Sequence, residues 1–310
     1  MAAFFFILPA AFAAMGMDEG ELAYLVFSPW FLISQQLLLL LAPLLLWVHI
    51  KRDSFANFLK NEPLDFTNVI IIVMVSLFIQ PSMMFVSGLT GLFFPNVIGD
   101  VIMGIMDYPF WLVLLAIAVT PAIVEEVVFR GYIQSRYESF GIKKAAIISG
   151  LFFGIVHMNM QQFFYAFIMG IVFSYIVYYT KSIVSGILAH FIMNASQVML
   201  LRAALLLEGL QEEIAGAYEA MDIPEITEVQ AVIAVGVFAL FTTPIAIFLL
   251  RSLINRCKQA HGDSLGMSNA EAVTNNMPVP ELSDPEERKN PYADPFLILV
   301  VVIYAVFILT

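Results

Sequence analysis

The chain has 310 residues, of which 61% are hydrophobic and 13% charged, with a mean hydropathy of +0.88 and a formal net charge of −11. Soluble proteins run nearer about 45–50% and about 25%, so too little polar surface remains here to cover a water-facing globule. Disorder, collagen and nucleic-acid binding are excluded by the 28 Phe and the acidic balance, which leaves an all-α polytopic membrane bundle.

A hydrocarbon core of about 30 Å takes about 20 apolar residues of helix. Residues 1–15, MAAFFFILPAAFAAM, are apolar but short. Ala11-Phe12-Ala13 resembles a small-residue cleavage site, yet no Lys or Arg forms an n-region, so a short first span is the better reading than a signal peptide. Longer runs follow near 29–49, 66–89, 109–129, 163–180, 182–201, 229–251 and 294–310. A shorter run, 145–157, lies between Lys143-Lys144 and Asn159-Met160-Gln161-Gln162. The expectation is nine spans, or eight if residues 1–15 are removed. Residues 1–258 read as one membrane-embedded helical domain with its motif-bearing core at 109–201. Residues 259–293, rich in Asn, Ser, Pro and Glu, read as a polar cytoplasmic linker to the last span.

Loop charge tests that count. With nine spans, 13 of the 14 basic residues fall on one side, from Lys51 and Arg52 to Arg288 and Lys289. The other side keeps only Arg202, with Asp18, Asp100, Asp107 and the acidic stretch Glu208–Glu228. Cytoplasmic loops carry the Lys and Arg excess, so the N-terminus is expected inside and the 203–228 loop outside. The single cysteine, Cys257, excludes an internal disulfide and is expected reduced beside Arg256 and Lys258. No P-loop or dinucleotide fingerprint appears, and no internal repeat suggests an inverted-repeat transporter.

Ionisable side chains cost about 2.5–3.5 kcal/mol each at the centre of a membrane helix, so their presence points to function. Almost all of them fall in three helices: Glu125, Glu126 and Arg130; His157; and His190 with Asn194. Glu125 and Glu126 point about 100° apart around a helix. Glu126 and Arg130, four apart with the Glu first, share a face and should pair. That pairing leaves Glu125 without its own cation, and a desolvated carboxylate lacking one is a candidate general base. Pro121 removes a helix hydrogen bond one turn before Glu125. The bland alternative is a solvated helix rim for both glutamates. His157 alone is more often a packing residue, and His190 and Asn194, at i and i+4, could simply hold helices together. At 1.5 Å per residue, however, Glu125, His190 and His157 lie about 7, 12 and 18 Å from the cytoplasmic ends, within reach of one cavity. His49 and His261 read as solvated, and Gly150 with Gly154 as a close-packing face.

Glu-Glu-x-x-x-Arg at 125–130, Phe-x-x-x-His at 153–157 and His-x-x-x-Asn at 190–194 occur in the order and spacing of one family. The chain resembles the CPBP family of intramembrane proteases, which holds CAAX prenyl endopeptidases of the Rce1 type and bacterial relatives linked to bacteriocin processing. The resemblance covers about 110–200. It implies a peptidase in a bacterial cell membrane, its site reached from the cytoplasm. Glu125 and His157 would activate water, His190 and Asn194 would form the oxyanion hole, and Glu126 and Arg130 would support the site. It implies no cofactor. A zinc alternative, with Glu125, His157 and His190 as ligands, stays open on the residues alone. The expected partners are the lipid bilayer and a peptide or membrane-protein substrate, prenylated or not. Two other classes compete: a non-catalytic scaffold such as a bacteriocin immunity factor, and a transporter with a Glu/His proton relay.

Overall fold

The computed structural model describes residues 27–95, 97–213 and 227–264, with Gly16, Asp18 and Leu25 besides. The spans expected at 1–15 and 294–310, and the linker from 265 onward, lie outside the described residues. Among the described residues there are seven principal helices: α1 (Pro29–Lys51), α2 (Phe66–Gly91), α3 (Phe110–Phe140), α4 (Ile142–Val156), α5 (Met160–Thr180), α6 (Ile183–Glu213) and α7 (Glu228–Ser264). All but α4, which has 15 residues, are long and apolar enough to cross a membrane. The protein is a multi-pass helical membrane bundle.

Local chemistry sets the helix ends. Asp65 accepts the backbone N–H of Asn68 at the start of α2, and Asn159 accepts that of Gln162 at the start of α5. Arg52 and Lys181 close α1 and α5 in the left-handed region, each at φ 51°. Helices α3 and α7 outrun the expected spans. Their extra turns carry Arg130, Arg136 and Glu138, and Lys258 and His261, so hydropathy falls before the helix stops. Helix α7 thus passes the domain boundary expected at 258 and continues to Ser264. His261 is half-buried rather than solvated, because its Nδ1 donates to the Cys257 carbonyl at 2.7 Å. His49 is exposed, and Cys257 is a buried free thiol.

Packing follows side-chain size. A Cβ on Gly170 would lie 2.5 Å from the Gly150 Cα, and one on Gly154 would lie 2.9 Å from the Phe163 ring. The small face of α4 therefore lets α5 approach to backbone contact. Helices α2, α5, α6 and α7 share a core around Ile72, Ile176, Met193 and Leu253. A second core, around Leu32, Val113 and Val198, joins α1, α3 and α6. Helix α1 meets α3 again through Leu44 and Val48, against Val127, Val128 and Tyr132. The loops before α2 and α6 are joined by Glu62 N–H to Lys181 O at 3.0 Å and Ile183 N–H to Lys60 O at 2.8 Å. Lys60 pairs with Glu138, and burial holds its ammonium below the usual lysine range against the opposing pull of that carboxylate. Phe238, Leu240, Phe241 and Phe248 of α7 are exposed, as a lipid-facing helix requires.

Candidate active site

The site grows from a perturbed stretch of α3. Pro121 has no N–H, so the Ile117 carbonyl one turn back loses its usual donor. Residues Leu115–Val119 also form a π-helical turn, a feature frequent at functional sites. Asn194 of α6 fills the gap: its Nδ2 donates to Ile117 O at 2.9 Å. The proline thus links the motif helices α3 and α6. A second π-helical stretch, Val127–Ile133, follows Glu126 and carries Arg130.

Glu125 and Glu126 are 2% and 0% exposed, and Arg130 is 0% exposed. The solvated-rim alternative is therefore overturned. Glu126 faces a packed interior. Its Oε1 accepts Arg130 Nη1–H at 2.8 Å and His190 Nδ1–H at 3.0 Å. The guanidinium lies 4.2 Å above the Phe153 ring and 5.2 Å from that of Phe173. Gly186 gives the carboxylate its room, since a Cβ there would sit 2.7 Å from Glu126 Oε2. Glu126 Oε2 and Arg130 Nε and Nη2 make no hydrogen bond among the described residues.

Glu125 faces the other way, into a cavity of about 150 Å³ that it lines with His157, His190, Asn194 and Gln36. Gln36 Nε2 of α1 donates to Glu125 Oε1 at 2.7 Å. Glu125 Oε2 lies 3.9 Å from His190 Nε2. The His190 ring stacks on Phe173 at 5.3 Å and meets the edge of Phe153 at 5.6 Å. With Nδ1 committed to Glu126, its Nε2 is the nitrogen turned toward Glu125. His157 is fixed similarly: Nδ1–H donates to the Phe153 carbonyl at 2.7 Å, which leaves Nε2 for the cavity.

The structure brings Glu125, His157, His190 and Asn194 to one cavity and sets Glu126 and Arg130 behind it. Sequence reasoning missed Gln36, and also Gln162 and Tyr165, which line the cavity and are joined by a 3.0 Å hydrogen bond. The available signal was the amide pair Gln35-Gln36 ahead of a five-leucine run; a search limited to ionisable residues passes over it. Among the described residues, no group of three or more His, Cys, Asp and Glu side chains is arranged to hold a metal ion. Glu125, His157 and His190 share the cavity without forming such a ligand set.

The family-model match falls on this same region. Residues 107–196 match the family model of the type II CAAX prenyl endopeptidases, Rce1-like. The chain is also 32% identical over 90 residues to the Bacillus subtilis (strain 168) protein "Putative membrane peptidase YdiL", covering 29% of this chain and 37% of that relative. The chain thus spans little more than a third of the relative's length. No solved structure matches significantly. The matched segment runs from the start of α3 into α6 and encloses all three motifs, and over that segment the chain is similar to the Rce1-like endopeptidases of the CPBP family.

Proposed function

We propose that the protein is an intramembrane endopeptidase that hydrolyses peptide bonds with a water activated by Glu125 and His157. The observation that carries this reading is the division of labour on α3. Arg130 and His190 both hydrogen-bond Glu126, whereas Glu125 turns to the cavity with Gln36 as its hydrogen-bond donor. Glu125 takes a proton from water as the oxygen adds to the substrate carbonyl, and His157 Nε2 accepts the water's other hydrogen bond. Negative charge then develops on the carbonyl oxygen. Asn194 has a second amide N–H beyond the one given to Ile117, and His190, carrying on Nε2 a proton taken from solvent before the water is activated, donates from there and keeps that proton throughout. Each such donor supplies about 2.7–4 kcal/mol to the transition state. Glu126, at 3.0 Å from Nδ1, stabilises that imidazolium. Collapse breaks the C–N bond, and Glu125 passes its proton to the leaving amine. The products are a carboxylic acid and an amine, and no metal takes part.

The substrate on this reading is a peptide or membrane-protein segment, with or without a prenyl group. It reaches the cavity from the side to which the loop charges assign the Lys and Arg excess, the cytoplasmic side of a bacterial cell membrane. The test is mass-spectrometric cleavage of prenylated and unprenylated peptide libraries by the detergent-purified protein. Products that persist with a chelator and vanish in Glu125→Gln are expected. Products lost to the chelator would replace the activated-water scheme with zinc chemistry on Glu125, His157 and His190. A protein that binds peptides intact would be a scaffold.

A further inference from the structure

Helix α1 lies wholly outside the segment that the family shares, residues 107–196. It nevertheless contributes the direct hydrogen-bond donor to Glu125. From this we infer that Gln36 is a positioning residue for the general base: it holds Glu125 Oε1 so that Oε2 alone is presented to the reacting water. This inference rests on the proposed peptidase reading.

Three observations support it. The first is the bond itself, 2.7 Å from Gln36 Nε2 to Glu125 Oε1, with both residues 2% exposed. A buried amide in an apolar helix is unfavourable unless it is hydrogen-bonded, and this one spends its N–H on a carboxylate. The second is the division of the carboxylate. Oε1 is occupied by Gln36, and Oε2 is 3.9 Å from His190 Nε2, on the cavity side. A carboxylate held at one oxygen cannot rotate freely, so its basic oxygen is fixed relative to His190. The third is the anchoring of α1. The helix enters a π-helical turn, Leu37–Leu41, directly after Gln36. Beyond it, Trp47 Nε1–H donates to Tyr132 OH at 2.6 Å, and Asp53 pairs with Arg136. Helix α1 is therefore tied to α3 on the far side of the turn, which sets how far Gln36 reaches.

The neighbouring residue provides an internal control. Gln35 is equally buried at 2%, but neither its Nε2 nor its Oε1 has a hydrogen-bond partner among the described residues. It matches Gln36 in burial and lies beside it on the same helix, without a hydrogen bond to Glu125.

The experiment compares purified wild type, Gln36→Met, Gln35→Met and Glu125→Gln on the library peptide that wild type cleaves fastest. Methionine keeps the length and flexibility of glutamine and suits a membrane helix, so folding is checked by thermal unfolding of each variant. Gln36→Met should lower kcat by about 10- to 100-fold, with KM unchanged, because the base is misplaced rather than the substrate lost. Gln35→Met should leave kcat and KM unchanged. Wild-type kcat in Gln36→Met would overturn the inference, as would a rise in KM with kcat kept. So would an equal loss in Gln35→Met, which would mark a helix-packing effect. Glu125→Gln separates the two levels: if it is inactive while Gln36→Met is normal, only the role of Gln36 fails, and if it is fully active the peptidase scheme fails with it.

Discussion

Glu125 and Glu126 are adjacent in sequence and equally buried, yet they occupy opposite kinds of surroundings. On the Glu126 side of α3, charge is neutralised within the protein: Arg130 at 2.8 Å, His190 at 3.0 Å, aromatic faces over the guanidinium and a glycine against the carboxylate. On the Glu125 side the contacts are an amide from α1 and a cavity. The difference teaches that a membrane helix can carry two carboxylates if one is closed into the structure and the other is spared for chemistry. Substitutions on the first side should act on stability, and on the second side on turnover.

The largest expected effect lies on the closed side. Arg130→Ala strands the Glu126 charge in the bilayer interior and should destabilise the detergent-solubilised protein by about 3–5 kcal/mol, seen as a large drop in Tm. Unchanged thermal stability would mean that the pair is incidental. Asn194→Ala sits between the two sides. It should lower kcat by about 10²- to 10³-fold through loss of an oxyanion donor. It also leaves Ile117 O without its donor, which costs about 1–3 kcal/mol of stability. Stability lost with kcat intact would assign Asn194 to packing alone. Gly186→Ala comes next, because its Cβ would lie 2.7 Å from Glu126 Oε2 and 2.6 Å from Val177 Cγ2. Overpacking there should cost about 1–3 kcal/mol, read by thermal unfolding, with KM unchanged. The smallest effect is far from the cavity. Lys60→Met removes an ammonium that burial disfavours together with its Glu138 pair, and these opposing terms should leave stability within about 1 kcal/mol of wild type.

The closed side was largely legible in the sequence. Glu126 and Arg130 are four apart on one helix, and helical spacing alone puts them on one face. Six of the nine expected spans were legible too, since hydropathy is summed over about 20 residues and tolerates local irregularity, whereas the run at 145–157 forms a helix of only 15 residues. The ends of α3 and α7 were not, because helix geometry persists into charged turns that hydropathy counts as loop. The open side was legible only in part. Glu125, His157, His190 and Asn194 are marked by motif, but Gln36 reaches Glu125 across 89 positions, from a helix whose pattern is otherwise apolar. No local periodicity encodes such a contact. The three π-helical stretches are equally silent in sequence, although Pro121 was a usable hint: it predicts a carbonyl in need of a donor, without saying that Asn194 supplies one.

The most direct test sets the two carboxylates against each other, with Glu125→Gln and Glu126→Gln assayed side by side for turnover and for thermal unfolding. Each variant swaps a carboxylate for an amide of the same shape. The structure predicts that Glu125→Gln folds with a near-wild-type Tm and loses cleavage by about 10²- to 10⁴-fold. Glu126→Gln, which leaves Arg130 without its counter-charge, should show a markedly lower Tm. The reverse pattern, an active Glu125→Gln beside a stable but inactive Glu126→Gln, would contradict the assignment of chemistry to one glutamate and structure to the other.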